Sequence, residues 1–459
     1  MVQSSDSTTM SAPAGALTEH LAKAAVTRLP SEVVEHARAH LLDTVAATVS
    51  GTELAAGRKG GEVAAALGGP AEALVYRTGT LASAYAAALA NGFAAHADET
   101  DDSHAPTISH PGCAVVPAVL AVAERRRASG ALVLAAVAAG YDAGCRVGRA
   151  LGPDAIDPAR SKPSSHAIIG CFGAAAGAAV VEQLSVAQMG YVLSYAAQSA
   201  SGVTAWQRDP SHVQKAYVFA GMPASSGVLA ATMVTLGLDG VSDVFAGTPN
   251  FLEALSATPV LPELGAELGT RYEVTLTNIK KYAVASPAQA AVQAAENIVR
   301  QHVIAAADIT GVEITLPSVA ARIVDNRDMP DVNVQYLVAG TLVDGRFSFA
   351  MAHTAARMTA EPVARLRGLT RIVPDPQMNG RRCAVVTVRT ADGATCTSEV
   401  PHVRGTVDDP MSVQEIEEKA ADLMGPVLGQ QRTAELITAI RNLESVADVT
   451  SLRPLLARA

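Results

Sequence analysis

The sequence predicts a mainly α protein, a large all-helical domain with a smaller α+β lid domain inserted into it. Three observations carry this expectation. From residue 17 to about 255, apolar residues recur at three- and four-residue spacing, the period of a helix with one buried face. Hydrophobic residues make up 49% of the 459 positions but aromatics only 4%, so alanine and glycine fill the interior and favour closely packed helices. Near Tyr272 the pattern changes, and short alternating runs typical of strands enter.

The elements follow in chain order. Residues 1–15 are small and polar and read as a disordered leader; they lack the basic start and apolar block of a signal peptide. Leu29-Pro30-Ser31-Glu32 starts a helix that continues through 33–49, and further helices fit 81–96, 117–127, 131–151, 167–184, 186–201 and 225–236. The uncharged stretch 216–238 is long enough to span a bilayer, but Gly221, Pro223, Ser225, Ser226 and Gly227 near its middle favour a buried helix preceded by a tight turn. Strands fit 312–316, 383–388 and 395–400, the last two joined by a hairpin at Asp392-Gly393, with helices at 286–300 and 334–343. The tail 412–455 is helical again. The expected domains are therefore 16–270 with 406–459, and 271–405.

Composition narrows the function. A net charge of -9 with no basic stripe disfavours nucleic acid. Five scattered cysteines without a C-x-x-C pair disfavour a disulfide framework, a zinc site or an iron–sulfur cluster, and suit a cytoplasmic protein with reduced thiols. There is no G-x-G-x-x-G after a strand, no Walker loop and no G-x-S-x-G elbow.

The densest chemistry lies between His96 and His110, where four carboxylates and three histidines follow an apolar helix. Carboxylates at a helix C-terminus oppose its dipole, so packing alone gives no reason for them. A neutral histidine can take a proton from carbon while a carboxylate orients it. His110 and His104 are the candidate bases, with Glu99 or Asp98 as orienting groups and Ser103 as a substrate contact. A divalent ion is the rival reading, but no H-E-x-x-H or helical ligand pair supports it, so no metal is expected. A second segment, 201–215, holds Arg208 and Lys215, the latter at the mouth of the apolar stretch as an anion anchor or proton donor. A third places His166 at the start of an apolar helix, where the dipole favours neutral imidazole, with Ser165 as a candidate cap. A fourth holds Lys280, Lys281, Tyr282 and Gln289, candidates for holding a carboxylate substrate. Each segment also has a plain structural reading as a capped helix end or surface pair.

These segments together resemble the MmgE/PrpD family, which includes 2-methylcitrate dehydratase, cis-aconitate decarboxylase and iminodisuccinate epimerase. The likeness runs from Leu29-Pro30-Ser31-Glu32-Val33-Val34 to Leu342-Val343-Asp344-Gly345. It is strongest from Ala90-Asn91-Gly92-Phe93 through Asp101-Asp102 to His110-Pro111-Gly112. The resemblance implies a homodimer with no metal and no organic cofactor, and places family site positions on Glu99 (or Asp98), Ser103, His110 and Lys215. Three departures stand out. The family histidine before the glycine-bearing helix falls nearest Ser164, two places before His166; no histidine lies between His212 and His302; and Ile323 stands where a tyrosine is expected.

The expected activity is that of a cofactor-independent lyase working by proton transfer next to a carboxylate of a small di- or tricarboxylate. An epimerase using the same transfer is the second reading. A binding or scaffold homologue without catalysis is the third.

Overall fold

The computed structural model describes residues 10–156, 163–209 and 211–457. Two compact units share the chain. The first comprises the described parts of Met1–Ala97, Asp101–Thr277 and Ile416–Ala459, and the second Asp98–Thr100 and Asn278–Glu415. The expected borders at 270 and 405 thus stand against 277 and 415, and three residues of the acidic loop belong to the second unit.

The first unit is helical. Its centre is helix Ser165–Val181, buried on every side, as an all-apolar helix among helices must be. It packs against Gly130–Leu151, Met222–Thr235, Gly112–Arg126 and Val186–Ser199. Small residues allow the close approach: a Cβ on Gly144 would lie 2.5 Å from the Ile169 carbonyl oxygen. Helices Gly130–Leu151 and Val213–Thr235 are long and apolar enough to cross a membrane, but 83% and 67% of their apolar windows are buried inside the protein, as in core helices.

Three local expectations need correction. The predicted leader lies outside the described residues up to position 9, but its end is helix Ala12–Lys23, with Pro13 in the first turn where a missing N–H costs nothing and Leu17 and Leu21 buried. The helix expected from 117 begins at Gly112 and carries Pro117 inside. No tight turn precedes 225: the chain stays helical from Val213 to Thr235 and widens into a π turn at Tyr217–Gly221, just before Pro223. A wide turn accommodates a residue that cannot donate, and π turns of this kind often mark functional sites.

The second unit is built on a four-stranded sheet in the order Thr370–Asp375, Ile309–Pro317, Ala384–Thr390, Thr395–Val400. The first pair is parallel and the others antiparallel. Alternation turns Val312, Ile314 and Leu316 inward. They join one core with Val386, Val388 and residues of helices Gln289–Gln301 and Val334–Asp344. The hairpin turns at Gly393, whose φ of 85° suits glycine.

Candidate active site

Four helix ends of the first unit bring four imidazoles together. Helix Ala84–Ala95, rich in alanine and capped by the Ser83 side chain, ends at His96. His110 precedes Pro111 and helix Gly112–Arg126. His166 is the second residue of helix Ser165–Val181. His212 caps helix Val213–Ala216 in the left-handed conformation, φ 61°, a backbone state costing about 1 kcal/mol for a residue with a Cβ.

Ring centroids of His96 and His110 are 5.3 Å apart, His96 and His212 5.2 Å, and His110 and His166 5.1 Å. Phe219, presented by the π turn, stacks on His166 at 3.7 Å and on His96 at 4.6 Å. Trp206 meets Phe219 edge-on at 4.6 Å. Lys215 Nζ lies 5.2 Å from the Phe219 centroid and 5.6 Å from that of Trp206, so a half-buried cation borders the imidazoles. Ser165 does not cap its helix; its hydroxyl donates to the Ile108 carbonyl at 3.0 Å, tying the acidic loop to His166.

One carboxylate serves two of the rings. Asp101 Oδ2 is 2.9 Å from His96 Nδ1 and 3.5 Å from His110 Nδ1. All three side chains are closed off from solvent or nearly so. A carboxylate beside Nδ1 favours the tautomer with its proton there and stabilises the imidazolium that forms when Nε2 accepts a proton. The expectation that Glu99 or Asp98 orients His110 is corrected, because their carboxylates lie beside Lys280 and His353. The carboxylate beside His110 is that of Asp101, and the acceptor nearest the His110 Nδ1 is the Asp102 carbonyl at 2.5 Å. His96, Asp101 and Cys113 also place ligand atoms within 4.8 Å of one another, a possible metal-binding set. Its members are already engaged, His96 with Asp101, and Cys113 Sγ as donor to the His110 carbonyl at 3.1 Å.

His104 falls outside this group. Its Nε2 lies 3.0 Å from Glu273 and its Nδ1 2.7 Å from Thr107 Oγ1, so both ring nitrogens are used to hold the loop. Burial holds His104 below its ordinary pKa despite Glu273. Glu273 is itself pushed up by burial, but His104 and Arg149 outweigh that and bring it down to about 2. Ser103 is buried beside His104, and Arg208 is exposed on the turn Thr204–Arg208.

The remaining candidates belong to the second unit. Asp98 Oδ2 lies 2.8 Å from His353 Nε2, and the Thr100 amide and hydroxyl both donate to the same carboxylate at 2.8 Å. Burial pushes Asp98 up, yet His353 and Thr100 outweigh it and hold it below the usual carboxylate range. Burial also disfavours charge on His353, but Asp98 and the Phe349 carbonyl raise it to about 9. Lys280 Nζ donates to the Glu99 carbonyl at 3.0 Å and lies 3.6 Å from its carboxylate. Gln289 is a structural brace, not a substrate contact: buried, it donates to the Tyr282 and Val284 carbonyls at 2.7 Å. The Tyr282 hydroxyl is likewise committed, donating to Glu296 at 2.8 Å inside the core. Lys281 is half-buried, 3.9 Å from Glu296 and 5.1 Å from the Tyr282 ring centroid.

Sequence reasoning thus missed Asp101 and His96 as partners of His110, and His212 as a neighbour of His96, although all stood in the segments it singled out. It also missed His353, which no motif marks.

Comparison with known proteins agrees with the fold. The family profile described as MmgE/PrpD N-terminal domain matches residues 15–263, and that of the MmgE/PrpD C-terminal domain matches 282–445. Cis-aconitate decarboxylase of Homo sapiens is 28% identical over 394 residues, covering 81% of this chain and 79% of its own. Cis-aconitate decarboxylase of Aspergillus terreus is 24% identical over 490 residues, covering 99% and 98%. A cis-aconitate decarboxylase-like protein of Aspergillus oryzae is 26% identical over 403 residues, covering 81% and 82%.

Proposed function

The chain belongs to the MmgE/PrpD family, and on that premise we propose that it is a cofactor-independent lyase of the decarboxylase or dehydratase type. Its substrate is a small di- or tricarboxylate, and it works as a cytoplasmic homodimer. The observation that carries the reading is the group of His96, His110, His166 and His212, two of them (His96 and His110) sharing the Asp101 carboxylate, with Lys215 alongside.

His110 moves the proton at the carbon next to a substrate carboxylate. With Nδ1 donating to the Asp102 carbonyl at 2.5 Å and the Asp101 carboxylate 3.5 Å away, Nε2 is the nitrogen that carries the lone pair. Lys215 offsets the negative charge that develops on the substrate, and the Phe219 and Trp206 rings lower the polarity around it. Where a carboxylate departs as carbon dioxide, its bonding pair stays on carbon, which is then protonated. Where a β-hydroxyl departs, the pair left by the removed proton forms the new double bond, the C–O pair goes with the oxygen, and that oxygen takes up a proton and leaves as water.

Relatives named cis-aconitate decarboxylase favour a tricarboxylate and the lyase outcome. Epimerisation by the same proton transfer is the second reading, favoured by Ile323, an exposed aliphatic side chain where the family resemblance leads one to expect a tyrosine.

The test is solvent-deuterium exchange on a panel of di- and tricarboxylates, with carbon dioxide and alkene formation followed in parallel. Exchange accompanied by either product supports the lyase, and exchange with inversion supports the epimerase. No turnover of any candidate would leave the non-catalytic reading. His110→Gln and Lys215→Ala are expected to abolish turnover with the fold intact; full activity in either would remove the assignment. Dialysis against a chelator is expected to leave the rate unchanged.

A further inference from the structure

Directly behind His110 lies a buried carboxylate that takes no part in the site described above. Asp102 Oδ2 accepts from His40 Nδ1 at 3.0 Å and from the Tyr141 hydroxyl at 2.5 Å, and Oδ1 accepts from the Gly112 amide at 3.1 Å. Asp102, His40 and Tyr141 are all inaccessible to solvent. Three donors come from three helices: Ser31–Gly51, Gly130–Leu151 and the first residue of Gly112–Arg126. Burial alone would push the Asp102 carboxyl up, but His40, Tyr141 and the Gly112 amide outweigh it and keep it ionised.

The main chain of the same residue touches the proposed base. The Asp102 carbonyl oxygen is 2.5 Å from His110 Nδ1. A carbonyl can only accept, so Nδ1 must carry the proton. We propose that Asp102, held by His40, Tyr141 and the Gly112 amide, is a positioning residue that fixes the Nδ1–H tautomer of His110 and so decides that Nε2 is the nitrogen that exchanges a proton with the substrate carbon. This rests on His110 being the base. Where the step is deprotonation, Nε2 gains the proton taken from carbon and the ring becomes imidazolium. Where carbon dioxide has left, Nε2 of the imidazolium gives its proton to the carbanion. In both, Nδ1–H stays donated to the Asp102 carbonyl.

Gly112 supports the assignment. A Cβ there would lie 2.5 Å from the Tyr141 hydroxyl oxygen, 2.7 Å from Asp102 Oδ2 and 2.7 Å from Thr44 Oγ1. Only glycine lets the helix terminus approach the carboxylate, which explains in physical terms why His110-Pro111 is followed by Gly112. The other groups around the two residues are the Asp43 carboxylate, ion-paired to Lys419 at 2.6 Å, and, around His110, Asp101, His96, His166 and Phe219.

Nitrogen-15 spectra of the full-length protein labelled at histidine read the tautomer directly, His110 being assigned by the signals lost in His110→Gln. Wild type is expected to show a protonated Nδ1 and a lone-pair Nε2. In Asp102→Asn, Tyr141→Phe and Gly112→Ala the Nε2–H form should appear. In the same variants kcat should fall roughly 10- to 100-fold with KM little changed, by analogy with the loss of partners that orient metal-bound imidazoles. Should Asp102→Asn fail to fold, Tyr141→Phe, which removes a single hydroxyl, carries the test. Folded variants that keep the wild-type tautomer, or change it without loss of kcat, overturn the proposal. Activity surviving in His110→Gln would instead remove the proton-transfer reading, while the tautomer measurement would still report on Asp102.

Discussion

Replacing His353 with glutamine should flatten the stability of the second unit between about pH 6.5 and 9. The wild-type imidazole is raised from 6.5 to about 9 because Asp98 Oδ2 lies 2.8 Å from its Nε2 and the Phe349 carbonyl 2.8 Å from its Nδ1. A group whose proton is held more tightly in the folded state stabilises that state fully below its unfolded pKa. The contribution is lost as the pH rises through the folded value. Asp98 works in the opposite sense: held below 3.8, it contributes above that value and loses its contribution on acidification. At about 1.4 kcal/mol for each tenfold change in proton affinity, the rise of His353 corresponds to roughly 3 kcal/mol at most. The His353 side chain is only 15% exposed, so solvent screens little of it. Amide hydrogen exchange in helix Val334–Asp344 and strand Ile309–Pro317, followed at several pH values with the intrinsic rates divided out, would read this locally. Wild type should lose protection between neutral pH and 9, and His353→Gln and Asp98→Asn should not. If all three lose protection in parallel, the ion pair is not the source of the pH dependence.

Asp101→Asn keeps the shape of the group beside His96 and His110 but removes its charge. Turnover at neutral pH is expected to fall roughly 10- to 100-fold, mostly in kcat, and an unchanged pH profile would argue against its orienting role. Glu273→Gln breaks a buried ionic network with His104 and Arg149 and should cost about 3 kcal/mol in denaturant titrations. Gly144→Ala forces a Cβ to within 2.5 Å of the Ile169 carbonyl oxygen, so the melting temperature should drop by an amount corresponding to about 1–3 kcal/mol.

Elements whose cause is local could be read from the sequence. The apolar runs that became Gly130–Leu151, Ser165–Val181 and Val186–Ser199 are periodic over three or more turns. The hairpin at Asp392-Gly393 shows itself by turn chemistry alone. Short elements without a strong period escaped: strands Ala73–Val75 and Thr80–Ala82, and strand Thr370–Asp375, which pairs in parallel with a strand more than fifty residues earlier. Proline also misled the reading, because Pro117 suggested a helix start but lies inside Gly112–Arg126.

The sequence by itself determined the helical interior, the middle α+β segment and the presence of a histidine-rich loop, because residue type and spacing act over a few turns of chain. Tertiary structure alone decided which members of that loop work together. Loop geometry directs Asp101 toward His96 and His110, while its neighbours Asp98 and Glu99 meet His353 and Lys280. Glu273, 169 residues from His104, takes that histidine into a structural pair. His166 and His212 reach His110 and His96 only because separate helix ends converge. Such contacts depend on how distant helices pack and on where each side chain leaves its backbone, information that is not contained in spacing along the chain.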